Sequence, residues 1–327
     1  MDAHQFWIRA PGHGEIVRVA LPPRQDGEVL VRSLYSGISR GTESLVFRGE
    51  VPPSQAQAMR APFQEGEFPG PVKYGYCSVG EVVEGPDTLV GHVVFCLYPH
   101  QDIYTVPATA VTPLPDGLPA GRAVLAANME TAINAVWDAR IQAGDRVVVV
   151  GAGVVGLLIG WLCRQIPGTD VTVVDINPSR APVALELDLP FLIDPPRAAD
   201  ADVVIHASGQ PLGLRSALAL AGVEATIVEV SWFGSRSVSL PLGEAFHSRR
   251  LTLRSSQVGR LNPERTPRWT PARRIRLALD LLLDGRLDSL VTGESDFEEL
   301  PAVMARLSLV PGDTLCRRIR YGRSPVG

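Results

Sequence analysis

Long apolar runs and closely spaced cysteines are both missing from this sequence of 327 residues. No apolar run reaches about 18 residues, and the amino terminus lacks a basic segment followed by an apolar one, so we expect a cytoplasmic protein without a membrane partner. The cysteines are scattered without C-x-x-C spacing, at Cys77, Cys96, Cys163 and Cys316. They therefore indicate neither a disulfide framework nor a zinc ribbon.

An excess of basic residues is absent as well. The net charge is −4 and the isoelectric point is about 5.9, which argues against a nucleic-acid partner. Nearly all of the positive charge is arginine, and Lys73 is the only lysine in the chain. Against this bias, a solitary lysine indicates a position that needs an ammonium, with chance retention of one surface lysine as the alternative.

A strand–turn–helix–strand pattern stands out in the middle of the chain. Four consecutive valines, Val147 to Val150, predict a strand buried on both faces, as in a parallel sheet. The glycines that follow have the spacing G-x-G-x-x-G: Gly151, Gly153 and Gly156. The first permits a tight turn, the second lets the backbone approach a pyrophosphate, and the third lets the next helix pack on the strand.

The predicted helix runs from about Val154 to Ile166. Its first N–H groups, including those of Val154 and Val155, and the positive end of its dipole favour phosphate. A second strand ends in Asp175, which can accept both ribose hydroxyls of an adenosine and would repel a 2′-phosphate. The pattern therefore predicts a dinucleotide site that prefers NAD(H), with NADP(H) less favoured.

The rest of the chain indicates two domains and an α/β fold class. Short alternating segments before residue 120, such as Glu15–Val19, predict an antiparallel, barrel-like unit with a polar loop over 34–43. After it, strands alternate with helices, which predicts a doubly wound parallel sheet. We predict a first domain over 1–122 that is completed by 263–327, and a second domain over 123–262.

This arrangement resembles the medium-chain dehydrogenase/reductase superfamily, that of zinc alcohol dehydrogenases, over essentially the whole chain. The glycine turn, Ser36-Gly37-Ile38-Ser39 and Val203-Val204-Ile205-His206-Ala207-Ser208-Gly209 stand where that family has them. The resemblance implies a GroES-like catalytic domain, a Rossmann NAD-binding domain and a small-molecule substrate. Together with an apolar strand predicted near Val238–Leu242, it suggests a homodimer.

The sequence departs from the family at the zinc ligands. Zinc-dependent members have a cysteine where Ser39-Arg40 stands and His-Glu where Tyr76-Cys77 stands. Their third ligand falls just before Thr131, where Glu130 is the one candidate. Since a catalytic zinc needs three protein ligands, we expect no metal, with a site built from Cys77 and Glu130, Glu43 or His100 as the alternative.

Two shorter motifs are similar to those of bacteriochlorophyllide a dehydrogenase, another NAD-type member of the superfamily. They are S-G-I-S-x-G-T-E over 36–43 and G-Y-x-S-V-G over 75–80. Two motifs of this length indicate a subgroup, and they do not identify a substrate.

Without zinc, a protein group must stabilise the developing alkoxide and exchange its proton. The loops that replace the zinc ligands supply the catalytic candidates Thr42, Lys73, Tyr74, Tyr76 and His100, with Glu43, Tyr98 and Glu130 beside them. Our leading hypothesis is Tyr76 near Lys73 or Tyr74, because an ammonium close to a phenol lowers its pKa toward neutrality. Ordinary packing of the tyrosine is the alternative, and His100 is the second choice as a proton shuttle.

Further cofactor contacts come partly from the resemblance. It implies that Arg40 contacts the pyrophosphate and that Thr131 lies beside the nicotinamide. The turns after the predicted strands supply further candidates: Ser208, Gly209, Trp232 and Ser255.

The sequence thus predicts a zinc-independent, NAD(H)-dependent oxidoreductase of an alcohol or carbonyl substrate. The alternatives are a zinc-free NAD(P)H reductase of activated C=C bonds or quinones, and a catalytically silent NAD-binding sensor or partner protein.

Overall fold

The computed structural model describes residues 1–195, 200–310 and 312–322. The chain divides into two compact units, one of Met1–Ala127 with Ile275–Gly327 and one of Asn128–Arg274. Residues 311 and 323–327 of the predicted C-terminal segment lie outside the described residues.

The N-terminal part of the first unit is built almost entirely from short strands. They are β1 (Asp2–Ala10), β2 (His13–Ala20), β3 (Glu28–Ile38), β4 (Glu65–Gly66), β5 (Val72–Lys73), β6 (Ser78–Glu84), β7 (Val93–Cys96), β8 (Ile103–Pro107) and β9 (Val111–Pro113). One antiparallel sheet has the order β2-β1-β5-β4. In the other, β3 pairs with β6 on one side and β8 on the other, and β7 and β9 continue beyond β6.

Two helices accompany these strands, α1 (Arg40–Phe47) and α2 (Ala120–Ala123). The polar loop predicted over 34–43 is wrong, because β3 continues to Ile38 and α1 begins two residues later. The segment is helical because its downstream residues Leu45, Val46 and Phe47 are buried in the core, which outweighs the polar residues ahead of them. This helix places Glu43 in the interior of the unit, next to the partly buried Thr42.

The second unit alternates strands and helices. Its elements are α3 (Ala126–Ala139), β10 (Arg146–Val150), α4 (Val154–Arg164), β11 (Asp170–Val174), α5 (Ala181–Glu186), β12 (Phe191–Leu192), β13 (Ala201–His206), α6 (Pro211–Leu220), β14 (Ala221–Glu229) and β15 (Thr252–Ser255). The strands form a parallel sheet in the order β12-β11-β10-β13-β14-β15. Strand order reverses between β10 and β13, and ligands of such sheets bind at the carboxyl ends beside that point.

The apolar segment Val238–Leu242 is not a strand. Residues 238–241 have no regular structure and Leu242 begins a short helix. Val238 and Leu240 pack against the hydrophobic core beneath the parallel sheet, and Pro241 has no N–H to donate to a strand partner. The alternation that suggested a dimer-forming strand therefore reflects packing within the unit.

The C-terminal segment returns to the first unit. It contains α7 (Pro271–Leu281), β16 (Val291–Asp296), α8 (Leu300–Leu309) and β17 (Cys316–Arg320). Strand β17 pairs antiparallel with β3 and parallel with β16, so it extends the N-terminal sheet. The predicted α/β fold class is confirmed. Within the described ranges, the helices are all too short or too polar to cross a membrane.

Candidate active site

The glycine turn after β10 lies against the turn after β13. Gly151 has a φ of +113°, a backbone conformation that residues with a Cβ rarely adopt. A Cβ on Gly151 would lie 2.6 Å from the backbone N of Ser208, and one on Gly156 would collide with the Gly151 carbonyl oxygen. Nothing lies within 4 Å of the Cβ position on Gly153. A side chain would therefore clash at Gly151 and Gly156, where the strand and helix pack. At Gly153 the backbone is left accessible to a pyrophosphate.

Helix α4 begins at this turn. Gly153 is its N-cap residue and offers no side chain to the first N–H groups of the helix. Val154 and Val155 are partly exposed there, whereas the following turns of the helix are buried against the sheet. The unsatisfied N–H groups and the helix dipole favour an anionic ligand at this end.

Asp175 lies directly after β11, beside the glycine turn. Its Oδ2 accepts a hydrogen bond of 2.7 Å from the backbone N–H of Ala152, and its Oδ1 accepts one of 2.8 Å from that of Asn177. Each carboxylate oxygen has a further lone pair, so the side chain is fixed and can still accept ribose hydroxyls.

The remaining strand-end candidates lie at the same edge of the parallel sheet. Ser208 and Gly209 follow β13, Trp232 follows β14, and Ser255 is the last residue of β15. All but Ser255, which is exposed, are partly buried. The residues assigned by resemblance lie elsewhere, Thr131 in α3 and Arg40 at the start of α1 in the first unit, and both are partly buried.

In the first unit, a buried chain of hydrogen bonds connects α1 with the C-terminal segment. Glu43 Oε2 lies 2.9 Å from His100 Nε2, and His100 Nδ1 lies 2.7 Å from Ser36 Oγ. The Ser36 hydroxyl in turn lies 2.9 Å from the hydroxyl of Tyr321. Glu43 Oε1 also accepts the backbone N–H of Ser39 at 2.7 Å. Every side chain of this Glu43–His100 network is buried.

The order of donors in the network follows from its carboxylate end. An ionised Glu43 only accepts, so we assign the proton of neutral His100 to Nε2. Nδ1 then accepts from Ser36, and Ser36 accepts from Tyr321. Each polar group is satisfied, which is what burial of this many polar atoms requires.

Tyr76 lies next to this network. Burial raises the pKa of its phenol above the ordinary value, and the neighbouring Cys77 and Glu43 raise it further. Hydrogen bonds with the hydroxyls of Ser39 and Thr42 partly oppose that rise. The ring of Tyr74 meets that of Tyr76 edge to face at 5.9 Å between centroids. The phenol of Tyr76 is therefore neutral at physiological pH and surrounded by hydroxyl groups.

The structure does not bring Lys73 to Tyr76, so the predicted lowering of the Tyr76 pKa by that lysine is wrong. The Nζ of Lys73 donates to Gln101 Oε1 at 3.0 Å and to Tyr98 Oη at 3.3 Å, and it forms an ion pair with Glu65. Lys73 is the last residue of β5, and Tyr76 lies beyond it in a segment without regular structure, after Gly75 with a φ of +139°. Burial lowers the pKa of Lys73, and Glu65 opposes that shift.

The described side chains do not fit a catalytic zinc. Across 1–195, 200–310 and 312–322, no three His, Cys, Asp or Glu side chains are grouped to hold a metal ion. Burial raises the pKa of the Cys77 thiol well above its ordinary value, which disfavours the thiolate that binds zinc. Glu43 and His100 are bound to each other within the buried network.

Glu130, the candidate third ligand, belongs to a different arrangement. Its Oε1 accepts from Arg274 Nε at 3.0 Å, and Arg274 also donates to Asn134 Oδ1 and to the carbonyl of Val258. Both charged side chains are buried, and burial raises the pKa of Glu130 although Arg274 opposes it. This ion pair holds the segment after β15 on α3.

Two groups of residues were missed by the sequence analysis. Tyr321 completes the Glu43–His100 network, although no motif contains it. His206, the last residue of β13, contacts Glu229 and Ser208. A histidine at the end of a buried strand, next to a serine predicted to contact the cofactor, is a signal that could have identified the second group.

Comparison with known proteins gives distant but consistent relatives. No protein-family model matches the sequence. A zinc-type alcohol dehydrogenase-like protein of Haemophilus influenzae is 25% identical over 229 residues, which are 66% of this chain and 63% of that protein, so the match covers less than two thirds of its length. D-guloside 3-dehydrogenase of Escherichia coli is 26% identical over 295 residues, 80% of this chain and 83% of that enzyme.

Solved structures share the fold over nearly the whole length. A protein of Sinorhizobium meliloti described as a zinc-binding dehydrogenase, bound to NADP, superposes with a TM-score of 0.77 at 19% identity, covering 98% of this chain and 99% of that one. An alcohol dehydrogenase from Escherichia coli complexed with NADH gives a TM-score of 0.75 at 19% identity, with coverage of 98% and 99%. The chain is thus similar in sequence to alcohol dehydrogenase-like proteins, and it shares its fold with solved dehydrogenases.

Proposed function

We propose that this protein is a zinc-independent oxidoreductase that uses NAD(H) to interconvert an alcohol and a carbonyl compound. The observation that carries the proposal is the open glycine turn at the strand-order reversal, with Asp175 fixed beside it. When bound, the nicotinamide supplies or accepts the hydride. The chain's own groups bind the dinucleotide, orient the substrate and manage one proton.

The choice of NAD(H) over NADP(H) rests on Asp175. Its carboxylate is held by two backbone N–H groups and keeps acceptor capacity for both hydroxyls of an adenosine ribose. A 2′-phosphate at the same place would bring two negative charges together, which is unfavourable without a compensating cation.

We assign Tyr76 as the group that exchanges a proton with the substrate oxygen. A phenol with a raised pKa is a hydrogen donor at neutral pH, so in carbonyl reduction Tyr76 can donate its proton to the substrate oxygen as the hydride arrives at carbon. The hydroxyls of Ser39 and Thr42 hold the phenol and can stabilise the phenolate left after the transfer. In alcohol oxidation the proton moves the opposite way, to a Tyr76 that must first be deprotonated, so we expect reduction to be the faster direction at neutral pH.

Zinc independence is supported by the donor set. The hydroxyls of Ser39 and Tyr76 stand where the family has a cysteine and a histidine. Glu43 and His100 are already hydrogen-bonded to each other in the buried network. A hydrogen-bond donor then replaces a Lewis acid at the substrate oxygen. The motifs over 36–43 and 75–80 support a zinc-free subgroup without identifying its substrate.

The substrate class is inferred from the relatives. Their names include D-guloside 3-dehydrogenase and (R,R)-butanediol dehydrogenase, both of which denote oxidation of a secondary alcohol. We therefore propose a ketone, or the corresponding secondary alcohol of a polyol or glycoside, as the reactant.

The experiment that tests the proposal is a titration of the purified protein with NADH and NADPH, followed by a panel of ketones, enones and quinones. We expect tighter binding of NADH and consumption of NADH with ketones. A clear preference for NADPH together with turnover of enones or quinones would instead support a C=C or quinone reductase. Tight NADH binding without turnover of any carbonyl would support a silent NAD-binding protein.

Metal content is tested on the same preparation. We expect well under one zinc per chain by elemental analysis, and unchanged ketone reduction after dialysis against a chelator. Stoichiometric zinc, with activity that is lost on chelation and restored by zinc, would overturn the zinc-independent part of the proposal.

A further inference from the structure

The carboxyl ends of β13 and β14 carry a second buried histidine that the proposed function does not use. His206 and Glu229 are opposite each other in the parallel register, and each is the last residue of its strand. His206 Nδ1 lies 2.7 Å from Glu229 Oε2, and His206 Nε2 lies 2.6 Å from Ser208 Oγ. The histidine is fully buried, whereas Ser208 is partly exposed at the turn that meets Gly151.

Glu229 also fixes the turn through a second route. Its Oε1 accepts the backbone N–H of Ser231 at 2.7 Å, and Ser231 Oγ accepts the backbone N–H of Gly209 at 3.0 Å. Arg236 donates to the carbonyl of Gly209 at 2.9 Å. The turn of Ser208 and Gly209 is therefore held on both its side-chain and its backbone groups.

The hydrogen positions decide what Ser208 offers to a ligand. Ionised Glu229 only accepts, so the proton of neutral His206 is on Nδ1 and its Nε2 accepts the Ser208 hydroxyl hydrogen. Ser208 Oγ also accepts the backbone N–H of Gln210 at 3.2 Å. The hydrogen of Ser208 is thus committed inward, and the side that remains presents a lone pair.

We propose that His206 is a positioning residue that keeps Ser208 as a hydrogen-bond acceptor for a donor group of the bound dinucleotide, a ribose hydroxyl or the carboxamide N–H. This inference rests on the proposed cofactor site. A side chain at 206 that cannot accept from Ser208 would release the Ser208 hydroxyl hydrogen outward and replace the acceptor by a donor. Affinity for NADH would then fall.

Among the described residues that contact His206, Glu229 is the one with a charged side chain. Ser231 Oγ, from the segment after β14, lies 3.5 Å from Nδ1, and the ring of Phe233 stacks on the imidazole at 6.1 Å between centroids. From α6, Gly213 faces the ring, and a Cβ there would lie 2.8 Å from Nε2. Arg236 lies over the ring of Phe233, 5.6 Å from its centroid.

The test compares His206→Phe, His206→Gln, Glu229→Gln and His92→Gln in the full chain, with NADH affinity measured by fluorescence at one pH. Phenylalanine at 206 removes the acceptor of the Ser208 hydrogen, so affinity should fall about tenfold. Glutamine at 206 can donate to Glu229 and accept from Ser208, so this conservative variant should recover most of that loss. Glutamine at 229 can donate to Nδ1 and permits the reversed tautomer, so affinity should again fall about tenfold. Exposed His92 is the matched control and should behave as wild type.

The outcomes separate this inference from the proposed function. Failure of the wild type to bind NADH or NADPH would overturn the proposed function itself. Wild-type NADH affinity in His206→Phe, or equal losses in His206→Phe and His206→Gln, would overturn the role of His206 alone. Thermal unfolding of each variant is followed in parallel, and weak binding that accompanies a lowered melting temperature in both His206 variants would indicate a purely structural role and likewise contradict the proposal.

Discussion

Each unit of the chain holds a buried histidine between a glutamate and a serine, and the two arrangements differ in what surrounds them. At His100 the glutamate binds Nε2 and the serine binds Nδ1, whereas at His206 the two partners are exchanged. The Glu43 side chain is 3% exposed and that of Glu229 is 14% exposed. In the first unit the serine is buried and bonded onward to Tyr321, but in the second it is partly exposed.

The difference indicates two uses of the same three side-chain types. The Glu43–His100 network joins segments that are far apart in sequence. It ends at the buried hydroxyl of Tyr321, which is hydrogen-bonded to Ser36. The residues around His206 come from two adjacent strand ends, and our proposal leaves one lone pair of Ser208 for a ligand. We therefore expect the first arrangement to govern stability and support proton transfer at Tyr76, and the second to govern cofactor affinity.

The largest expected effect sharpens the assignment of proton transfer to the first unit. Tyr76→Phe should reduce the turnover of ketone reduction by about 10²–10⁴-fold, because it removes the proposed proton donor and leaves the packing of the ring. The Kd for NADH should remain within about twofold of wild type, since the glycine turn lies in the other unit. Steady-state kinetics and fluorescence titration measure the two quantities.

Tyr35→Phe is the control for this variant, because Tyr35 is a partly buried tyrosine of the same unit whose ring contacts Arg318. Turnover of Tyr76→Phe equal to that of Tyr35→Phe would remove Tyr76 from the mechanism.

Removing each glutamate tests the expected difference in stability. Glu43→Ala leaves the His100 ring and the Ser39 N–H without their acceptor in a buried place, so the free energy of unfolding should fall by about 3 kcal/mol. Glu229→Ala should lower it by only about 1 kcal/mol, because the side chain is partly exposed and water can replace it. Urea denaturation measures both, and equal losses would mean that the two networks do not differ in this respect.

Removing each serine should separate stability from binding. Ser36→Ala leaves His100 Nδ1 without its partner and removes one of the hydrogen bonds of the Tyr321 hydroxyl, so we expect a loss of about 1–2 kcal/mol in unfolding free energy and no change in NADH affinity. Ser208→Ala should instead weaken NADH binding several-fold with little change in unfolding free energy. The comparison fails if Ser36→Ala weakens NADH binding as much as Ser208→Ala does.

The smallest expected effect concerns pH, because we expect the rate of ketone reduction to show no alkaline loss from Tyr76. Since burial raises the pKa of Tyr76, its phenol keeps its proton above the pH of about 10 at which an exposed tyrosine ionises. The rate of ketone reduction should therefore show no loss from this group between about pH 7 and pH 10. A pH–rate profile measures it, and an alkaline loss centred near neutrality would indicate a phenol activated by a nearby cation instead.

The parallel-sheet unit is the part of the molecule that the sequence predicted best. Its valine strand, glycines, helix and Asp175 are contiguous, so each residue's role depends on neighbours a few positions away. The fold class followed from the same alternation of strands and helices. Where apolar residues packed without forming a strand, at Val238 and Leu240, periodicity alone misled because a core contact and a strand face have the same pattern.

The candidate site in the first unit was only partly predictable. Glu43 and His100 were both candidates, but their hydrogen bond joins residues that are 57 positions apart, and Tyr321 is 285 positions from Ser36. Contacts at such separations depend on the pairing of β3 with β17, which no local pattern specifies. The side of the strand on which Lys73 lies was likewise decided by tertiary packing.

Lys73 has a practical consequence for handling this protein. It carries the one ε-amine of the sequence, and its side chain has no exposed surface. Reagents that acylate or cross-link lysine therefore have no lysine target on the native molecule. Labelling at Lys73 becomes a clock for local opening around this side chain, because the amine reacts only after it leaves its buried partners Glu65, Tyr98 and Gln101.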